Sequence, residues 1–348
     1  MGHSAEWTEP GAYQVDPGVY RVPLPLPQDG LRAVNVYAIE TGDDLVLVDG
    51  GWALEESRKL LESALRSIGH KVSDISRFLV THIHRDHYTQ AVAIRREFGS
   101  KVSLGIGEKP ALDAISSPTF ATRNPQLAQL RRAGAAELVE ALERFSPEPP
   151  DLADWEYPDE WLTEETTLAV SGRDIQAVPT PGHTQGHVVF ADLESRLLFA
   201  GDHVLPHITP SIGFEMAPAK LPLGDFLQSL ARVRAMPDLR LLPAHGPVTE
   251  STHQRVDELV AHHDHRLEQC LRAAESGLET GYEVAEALPW TRRERRFADL
   301  NVFNQFLATT ETVAHLDLLA ARGDLRSEVQ DGVIHYLPVL TDPGRSGS

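Results

Sequence analysis

A short stretch at residues 80–91, VTHIHRDHYTQA, places three histidines and an aspartate at the end of a strand-like run. The run RFLVT is typical of a short buried strand, and AVAIRREFG, which follows the histidines, has the spacing of a helix. Polar side chains at the end of a buried strand suit a layered α/β fold, because the sheet holds the loops at its strand ends rigidly. The stretch therefore predicts such a fold, with a polar site at one edge of a sheet.

Strands and helices alternate through about the first 250 residues. The runs AVNVYAIE and DDLVLVDGG predict a hairpin that ends at Asp49, and LEESRKLLESALRSIGH predicts a surface helix that ends near Gly69. The later runs TTLAVSG, RDIQAVPTP, HVVFADLE and SRLLFAGD predict further strands. Between these halves, residues 107–165 contain a helical stretch and a segment rich in proline, acidic and aromatic residues, which predicts an insertion or lid.

Two domains are expected, because the chain has 348 residues and single cores rarely grow beyond about 250–300 residues. We predict a catalytic domain at residues 1–265, which includes the insertion, and a small C-terminal domain at residues 266–348. In the C-terminal part the helical run TETVAHLDLLAARG precedes a hairpin, DLRSEVQDGVIHYLPV, whose turn is Asp331-Gly332. Helices followed by a hairpin predict a winged-helix-like shape.

The charge and the cysteine content narrow the functional classes. A formal net charge of −19 disfavours a nucleic-acid partner. Cys270 is the only cysteine, so the chain forms no intramolecular disulfide and no cysteine-based zinc site, which fits a reducing compartment. No apolar run approaches the length of a membrane span, and the first residues lack the features of a signal peptide. We therefore expect a cytoplasmic protein that makes no use of a membrane.

Two motifs invite a functional interpretation that the sequence does not favour. TRRERR at residues 291–296 is a basic run beside the predicted winged helix, but the hairpin that would meet DNA is acidic. AHHDHR contains His262, His263 and His265 without a fourth ligand nearby in sequence. On a helix His262 and His265 share a face while His263 points elsewhere, and we predict a solvated helix face there.

The polar residues at strand ends have the composition of a metal site. Histidine nitrogens and carboxylate oxygens are the natural zinc ligands where cysteine is absent. The spacing of His82 and His84 lets both rings face one ion, while Asp86 and His87 turn toward another. Three further polar residues end predicted strands, namely His183, Asp202 and His245. Each of these alone is more often a satisfied hydrogen-bonding group, but together with the first cluster they predict a metal centre.

The motifs VDGG, THIHRDH, PGHTQGH, GDH and PAHG occur in this order, and with them residues 18–250 resemble the metallo-β-lactamase superfamily. PGHTQGH and GDH are similar to the motifs of hydroxyacylglutathione hydrolases, the glyoxalase II type. The C-terminal part is similar to the winged-helix-like tail of one hydrolase branch. The resemblance implies an α/β fold, a four-layer αββα sandwich with a small winged-helix-like C-terminal domain.

The resemblance also implies roles for individual residues. One metal ion would be held by His82, His84 and His183, and the second by Asp86, His87 and His245. Asp202 would bridge the two ions. Asp49 matches an aspartate that steadies a ligand loop, and His187 matches a recurrent buried position of structural character.

One difference from the family follows the first motif. The family usually has two glycines there, whereas this chain has Thr89 and Gln90, so the helix can start differently and Tyr88 can face the site. Large side chains here and further along the chain predict either an apolar substrate pocket or simple packing. The pocket candidates are Tyr88, Phe120, Trp155, Trp161, Phe214 and Met216.

These observations predict a binuclear zinc-dependent hydrolase of a small ester, thioester or lactone, with two Zn²⁺ ions and with iron or manganese as alternative metals. The nucleophile would be a metal-bridging hydroxide. Asp86 and Asp202 are the predicted catalytic residues, the first orienting that hydroxide and the second reducing the repulsion between the ions. The expected partner is a small acyl substrate, with a homodimer as an open alternative.

Other functions stay open at this point. An endoribonuclease or phosphodiesterase could use the same two-metal centre, although the net charge argues against RNA. A mono-iron dioxygenase could use His82, His183 and Asp202. A transcription regulator with a metal domain that senses a ligand would require sequence-specific binding of DNA, which the acidic hairpin argues against.

Overall fold

The computed structural model describes residues 6–27, 30–42, 44–117, 124–144, 152–170, 172–291 and 293–339. Its strands are, in chain order, β1 (Tyr13–Asp16), β2 (Val19–Pro25), β3 (Ala33–Thr41), β4 (Asp44–Val48), β5 (Ile75–Leu79), β6 (Lys101–Gly105), β7 (Glu160–Leu162), β8 (Thr166–Val170), β9 (Arg173–Pro179), β10 (Val188–Asp192), β11 (Leu197–Gly201), β12 (Arg240–Pro243), β13 (Leu325–Gln330) and β14 (Val333–Pro338). Its α-helices are α1 (Glu55–Ser67), α2 (Arg85–Phe98), α3 (Lys109–Ile115), α4 (Pro125–Arg132), α5 (Ala136–Arg144), α6 (Pro222–Ala235), α7 (Thr252–Glu275), α8 (Gly281–Ala287) and α9 (Val302–Arg322). None of these described helices is long and apolar enough to cross a membrane.

The chain divides into two compact units. The first unit comprises Met1–Phe120, Asp151–Pro210 and Asp225–Leu259. The second unit comprises Ala121–Pro150, Ser211–Gly224 and Val260–Ser348. The predicted boundary after residue 265 stays a prediction.

Two sheets form the centre of the first unit. β1 to β7 lie side by side in chain order, antiparallel from β1 to β4 and parallel from β4 to β7. The other sheet has the order β12-β11-β10-β9-β8 and is antiparallel except for the parallel pair β11 and β12. Parallel neighbours end at the same edge of a sheet, so β4 and β5 present their following loops side by side, as do β11 and β12.

The two sheets share one buried core. It contains apolar side chains from both sheets, among them Val48 and Leu79 from the larger sheet and Phe190 from the smaller one. The rings of Tyr37 and Phe199 meet edge to face across the sheets, with centroids 5.4 Å apart. Each such buried side chain stabilises the fold by about 1.5–3 kcal/mol. Helices α1 and α2 pack against the larger sheet, and the predicted α/β fold is confirmed.

The local structure before the predicted metal site follows the sequence pattern. β3 and β4 form the expected hairpin, which ends one residue before Asp49. In α1 the buried residues Leu61, Ala64 and Leu65 lie on one face of the helix. α2 ends at Gly99, whose φ of 81° and N–H bond to the carbonyl of Arg95 close the last turn.

The segment predicted as an insertion divides between the two units. Its last part, β7, belongs to the larger sheet, where Trp161 lies opposite Leu104 of β6. Residues Ala121–Pro150 belong to the second unit. The lid interpretation stays a prediction.

The second unit contains helices and a hairpin. α9 begins after Asn301, whose side chain accepts a hydrogen bond from the Asn304 amide, and it ends at Gly323 as predicted. β13 and β14 are joined at Asp331 and Gly332, whose φ angles of 49° and 86° suit the predicted tight turn. The winged-helix-like shape of this part stays a prediction.

The histidine run in α7 has both exposed and buried members. His265 is exposed, but His263 is fully buried, and its Nδ1 lies 3.1 Å from Nε2 of His315 in α9. The solvated face therefore includes His265, while His263 points elsewhere, into a buried contact that was not predicted. The local sequence could not indicate this, because the partner histidine lies far along the chain.

Candidate metal centre

The predicted polar residues come together at the carboxyl ends of strands in the first unit. The loop after β5 and the first turn of α2 carry His82, His84, Asp86 and His87. The positions after β9, β11 and β12 carry His183, Asp202 and His245, respectively. Most of these side chains are buried, and those of His84 and Asp86 are half-buried.

The side-chain nitrogen and oxygen atoms that could hold a metal ion form two groups. One group consists of His82, His84, His183 and Asp202, the other of Asp86, His87 and His245, with the atoms of each group within 4.8 Å of one another. Oδ1 of Asp202 is 3.3 Å from Nε2 of His245, and Oδ2 is 3.5 Å from Nε2 of His183. One carboxylate thus faces both groups, and its role as a bridging ligand stays a prediction.

Several of these atoms make no hydrogen bond with any described residue, although they are buried. They are Nε2 of His82, His87 and His245 and Oδ1 of Asp202. A buried polar atom without a partner costs about 1–3 kcal/mol, so four of them in one place call for a further binding partner. Imidazole nitrogens and carboxylate oxygens at these separations fit divalent metal ions, zinc among them.

The hydrogen bonds of two histidines fix which nitrogen faces the centre. Nδ1 of His245 lies 2.8 Å from the carbonyl oxygen of Ala33, and Nδ1 of His87 lies 2.9 Å from Oδ2 of Asp49. Both oxygens can only accept, so Nδ1 carries the proton in each ring. Nε2 is then left for the metal centre, as is usual for metal-binding histidines whose other nitrogen is held by an oxygen.

Charge is distributed unevenly across the centre. Burial, together with the neighbouring His183, lowers the pKa of His84 to about 3, so this ring is neutral and can bind a metal ion. Burial works against charge on His87 too, but the carboxylates of Asp49, Asp86 and Asp202 raise its pKa to about 10. The centre therefore favours positive charge beside these carboxylates, which either a proton or a metal ion can supply.

Asp202 stays ionised in this environment. Burial alone would raise its pKa, but the imidazoles of His245 and His87 hold the pKa of Asp202 well below its usual value. An ionised, buried carboxylate between two groups of histidines is suited to bind cations on both sides.

Asp49 holds the residue before His82 by hydrogen bonds. Its backbone has a φ of 63°, unusual for a residue with a side chain. Oδ1 of Asp49 accepts hydrogen bonds from the amide of Thr81 at 2.8 Å and from its hydroxyl at 3.0 Å. Oγ1 of Thr81 also lies 3.0 Å from Nδ1 of His82. Thr81 was not among the predicted residues.

His187 supports Asp202. Its Nε2 accepts a hydrogen bond from the amide of Asp202 at 3.2 Å, so the proton sits on Nδ1, which lies 2.9 Å from Oγ1 of Thr180. The ring stacks on that of His82 at a centroid distance of 5.1 Å. The structural role expected of His187 stays a prediction.

Thr89 and Gln90, which stand where the family has glycines, bond to the loop after β4. Oγ1 of Thr89 accepts from the amide of Ala53, and Nε2 of Gln90 donates to the carbonyl of Gly50. The close approach of this loop to α2 depends on Gly50, because a Cβ there would lie 2.6 Å from the amide nitrogen of Ala91. The glycine that permits close packing thus lies in the loop after β4 and not in α2.

Glu108 lies near the centre and was not among the predicted residues. It is 1% exposed, and burial raises the pKa of its carboxyl group to about 7, against the opposing hydrogen bonds from Thr184 and two backbone amides. The signal in the sequence is GIGE at residues 105–108, where two glycines lead to an acidic residue.

The candidate pocket residues differ in their burial and in the side chains they contact. Tyr88 is fully buried, and its hydroxyl donates to the carbonyl of Glu156 at 2.5 Å. Its ring lies 6.4 Å from that of Trp155, and Trp161 lies beside Tyr157.

In the second unit, Phe214 contacts Phe303 and Phe306 edge to face, and Met216 is half-buried. Phe120 lies outside the described residues. A role of any of these side chains in a substrate pocket stays a prediction.

The family comparison agrees with the motifs. The model of the metallo-beta-lactamase superfamily matches residues 29–260. A solved structure, a metallo-beta-lactamase family protein from Thermus thermophilus, superposes with a TM-score of 0.76 at 28% sequence identity. The superposition covers 94% of this chain and 100% of that one.

Two curated relatives are similar to this chain. The probable metallo-hydrolase YqjP of Bacillus subtilis (strain 168) is 24% identical over 336 residues, which cover 91% of this chain and 96% of the relative. The atrochrysone carboxyl ACP thioesterase of Aspergillus fumigatus is 27% identical over 246 residues, which cover 71% of this chain and 61% of the relative.

Proposed function

The chain belongs to the metallo-beta-lactamase superfamily, and from that premise we propose that it is a binuclear metal-dependent hydrolase of a small ester, thioester or lactone. The observation that carries the proposal is the pair of adjacent groups of histidine and aspartate side chains, with Asp202 facing both. A single ion would leave one of these groups without a cation. Its buried nitrogen and oxygen atoms would then have no partner, which costs free energy.

We propose zinc as the metal, with His82, His84 and His183 at one ion, Asp86, His87 and His245 at the other, and Asp202 between them. When bound, such ions supply Lewis acidity at neutral pH, which lowers the pKa of water and polarises a carbonyl oxygen. No serine or cysteine nucleophile is needed for this chemistry, and the buried Cys270 lies in the other unit.

The residues of the chain have distinct tasks in this proposal. His245 and His87 are held in one tautomer by the carbonyl of Ala33 and by Asp49, so that their Nε2 atoms are ready to bind without rearrangement. His84 is kept neutral by burial and by His183.

Asp86 is the carboxylate of the centre with the greater access to solvent, at 13% exposure of its side chain against 8% for Asp202. Its Oδ2 lies 3.4 Å from Nε2 of His245. We propose that Asp86 orients the attacking water, accepts its proton at the carboxylate oxygen that does not face His245 and returns that proton to the leaving group.

A carbonyl substrate is favoured over RNA for two reasons. The formal net charge of −19 repels a phosphate backbone. One of the relatives is named as a thioesterase, and this supports a thioester among the candidate substrates. The acyl group is left open.

The test is hydrolysis by zinc-loaded protein across one panel of acyl thioesters, aryl esters, lactones and single-stranded RNA. His84→Ala removes a proposed ligand, and Lys59→Ala, on the exposed side of α1, serves as the matched control. We expect turnover of at least one carbonyl substrate, unchanged in Lys59→Ala and lowered by about a thousandfold or more in His84→Ala.

The identity and number of the metal ions bound in the same samples, together with the substrates cleaved, distinguish a binuclear zinc hydrolase from a nuclease and from a dioxygenase. Two zinc ions per chain together with carbonyl hydrolysis support the proposal. Cleavage of RNA alone would replace it with a nuclease, and a single tightly held iron without hydrolysis would replace it with a dioxygenase.

A further inference from the structure

Glu108 is buried between the two loops that carry one group of proposed metal ligands. It ends a short 3-10 turn, Ile106–Glu108, between β6 and α3. Glutamate is rarely buried to this extent unless its carboxyl group has several hydrogen-bond donors. Its donors therefore indicate what the side chain does.

The donors come from both ligand loops. The hydroxyl of Thr184, the residue after His183, donates to Oε1 of Glu108 at 2.5 Å. The backbone amides of Ile83 and Gly186 also donate to this carboxyl group. Ile83 lies between His82 and His84, so one carboxyl group receives donors from the loop after β5 and from the loop after β9.

The backbone before Glu108 is in close contact with the loop after β9. A Cβ on Gly186 would lie 2.2 Å from the backbone nitrogen of Glu108, and a Cβ on Gly107 would lie 2.3 Å from the carbonyl oxygen of Gln185. A Cβ on Gly105 would lie 2.0 Å from the carbonyl oxygen of Gly186. The turn before Glu108 therefore packs directly against the loop that carries His183, with glycine on both sides.

We propose that Glu108 is a positioning residue for the metal centre, which ties the loop of His82 and His84 to the loop of His183 and so sets the spacing of these three rings. The inference rests on the proposed metal centre. Residues that hold metal ligands in place typically change metal affinity by about 10- to 100-fold when they are removed. In the second group, Asp49 holds His87 and the carbonyl of Ala33 holds His245, and Glu108 takes no part in these contacts.

The experiment measures metal binding by the full chain rather than activity. Metal-free wild-type protein and variants are titrated with Zn²⁺ by calorimetry in competition with a chelator, and ¹¹³Cd NMR of cadmium-loaded samples gives each bound ion its own resonance. Glu108→Ala removes the carboxyl group, and Glu108→Gln keeps the shape and one acceptor oxygen while its amide can donate to Thr184. Lys109→Ala, the exposed neighbour, is the matched control.

We expect Glu108→Ala to weaken the binding of one zinc ion by about 10- to 100-fold and to shift one cadmium resonance. The affinity for the other ion should stay within about twofold of wild type. Glu108→Gln should restore most of the affinity, and Lys109→Ala should match wild type. If Glu108→Ala weakens the binding of both ions equally and Glu108→Gln does not restore the affinity, Glu108 has only a general packing role and the inference is overturned. Wild-type binding in Glu108→Ala would overturn it as well.

Thr184→Val is the second variant in case Glu108→Ala does not fold. It removes one hydrogen-bond donor to the carboxyl group and should weaken the binding of the same zinc ion. Unchanged zinc binding by a folded Thr184→Val would contradict the inference. Failure of the proposed function looks different. In that case the wild type hydrolyses none of the carbonyl substrates, whereas its zinc binding still depends on Glu108.

Discussion

Gly201 occupies a crowded position beside the metal centre, directly before Asp202. Its φ is +50°, and a Cβ would lie 2.7 Å from Oγ1 of Thr81 and 2.7 Å from Nε2 of His187. Both neighbours already have hydrogen-bond partners and cannot turn away without losing them. The residue that precedes Asp202 thus has to be glycine for the ligand to reach its place.

We expect Gly201→Ala to lower the free energy of unfolding by about 2–4 kcal/mol, because backbone strain and a steric clash add together. Urea denaturation of the metal-free protein measures the change. Gly69→Ala is the control, since Gly69 has a φ of +89° but nothing within 4 Å of an added Cβ. A loss no larger than that of Gly69→Ala would mean that the neighbours of Gly201 can rearrange.

The raised pKa of Glu108 gives a second prediction. The pKa of its carboxyl group is about 7 in the folded chain, against an ordinary value of 4.5. The folded state therefore binds the proton more tightly than the unfolded state, and stability falls as the pH rises from 4.5 to 7. The loss amounts to about 3 kcal/mol at most.

Glu108→Gln cannot ionise and should not show this loss. We expect the difference in unfolding free energy between wild type and Glu108→Gln, measured without metal at about pH 5 and about pH 8, to move in favour of the variant at the higher pH. A difference that does not change with pH would show that the carboxyl group is ionised over the whole range.

The sequence predicted the residues that end strands better than the residues that support them. His183, Asp202 and His245 could be found because each follows an apolar run. The strands β9, β11 and β12 run in the same direction, so their carboxyl ends lie at one edge of the sheet. Glu108 and Thr184 could not be paired from the sequence, because nothing local indicates that the turn after β6 packs against the loop after β9. The contact between this turn and this loop depends on glycines on both sides. That these glycines meet is known only from the folded structure.

At the level of elements, α2 is linked to the segment before β7 by charged groups. Arg95 donates to the carbonyl of Tyr157 at 2.6 Å and pairs with Glu156 at 2.5 Å and Asp159 at 3.4 Å. Its side chain is 14% exposed, so these contacts are less screened than those of a fully exposed pair. The same helix carries Asp86 and His87 in its first turn.

We expect Arg95→Ala to lower the free energy of unfolding by about 1–2 kcal/mol, and the loss to shrink at high salt. Chemical denaturation at low and high ionic strength measures both effects. Lys59→Ala is the control, because its pair with Glu55 is exposed on both sides and should contribute nothing measurable. Equal effects of the two substitutions would mean that the segment before β7 is not held by Arg95.

The elements themselves were predictable where their pattern is regular and local. The hairpin ending before Asp49, the helix α1 and the hairpin at Asp331 follow from alternation, helical spacing and turn residues. β7 was missed because three residues are too few to show a period, and it lies in a stretch interpreted as an insertion. The buried pair of His263 and His315 was missed because its two halves lie in different helices.

At the level of the whole molecule, the net charge acts on the approach of substrate. A formal net charge of −19 surrounds the protein with a negative potential, which lowers the local concentration of anions and is screened by salt. This field does not depend on the identity of the substrate. It does distinguish substrates by their charge.

We therefore expect kcat/KM for a dianionic thioester or ester to rise several-fold between about 20 and 300 mM NaCl. A neutral substrate with the same leaving group should change little over this range, and it serves as the control. Steady-state kinetics with the pair of substrates measures the effect. A decrease of kcat/KM with salt for the anionic substrate would point to a local cationic surface that overrides the overall charge.

The wide spacing of the ligands along the chain sets an order of events during synthesis. The ribosome releases residues from the amino terminus onward, and a chain can begin to fold before it is finished. The group of His82, His84, His183 and Asp202 is complete as soon as residue 202 has emerged, whereas Asp86 and His87 wait for His245. A nascent chain therefore has one full set of the proposed ligands while the second is still unfinished, and under the proposed function a first metal ion could bind before the last strand of the smaller sheet, β12, exists.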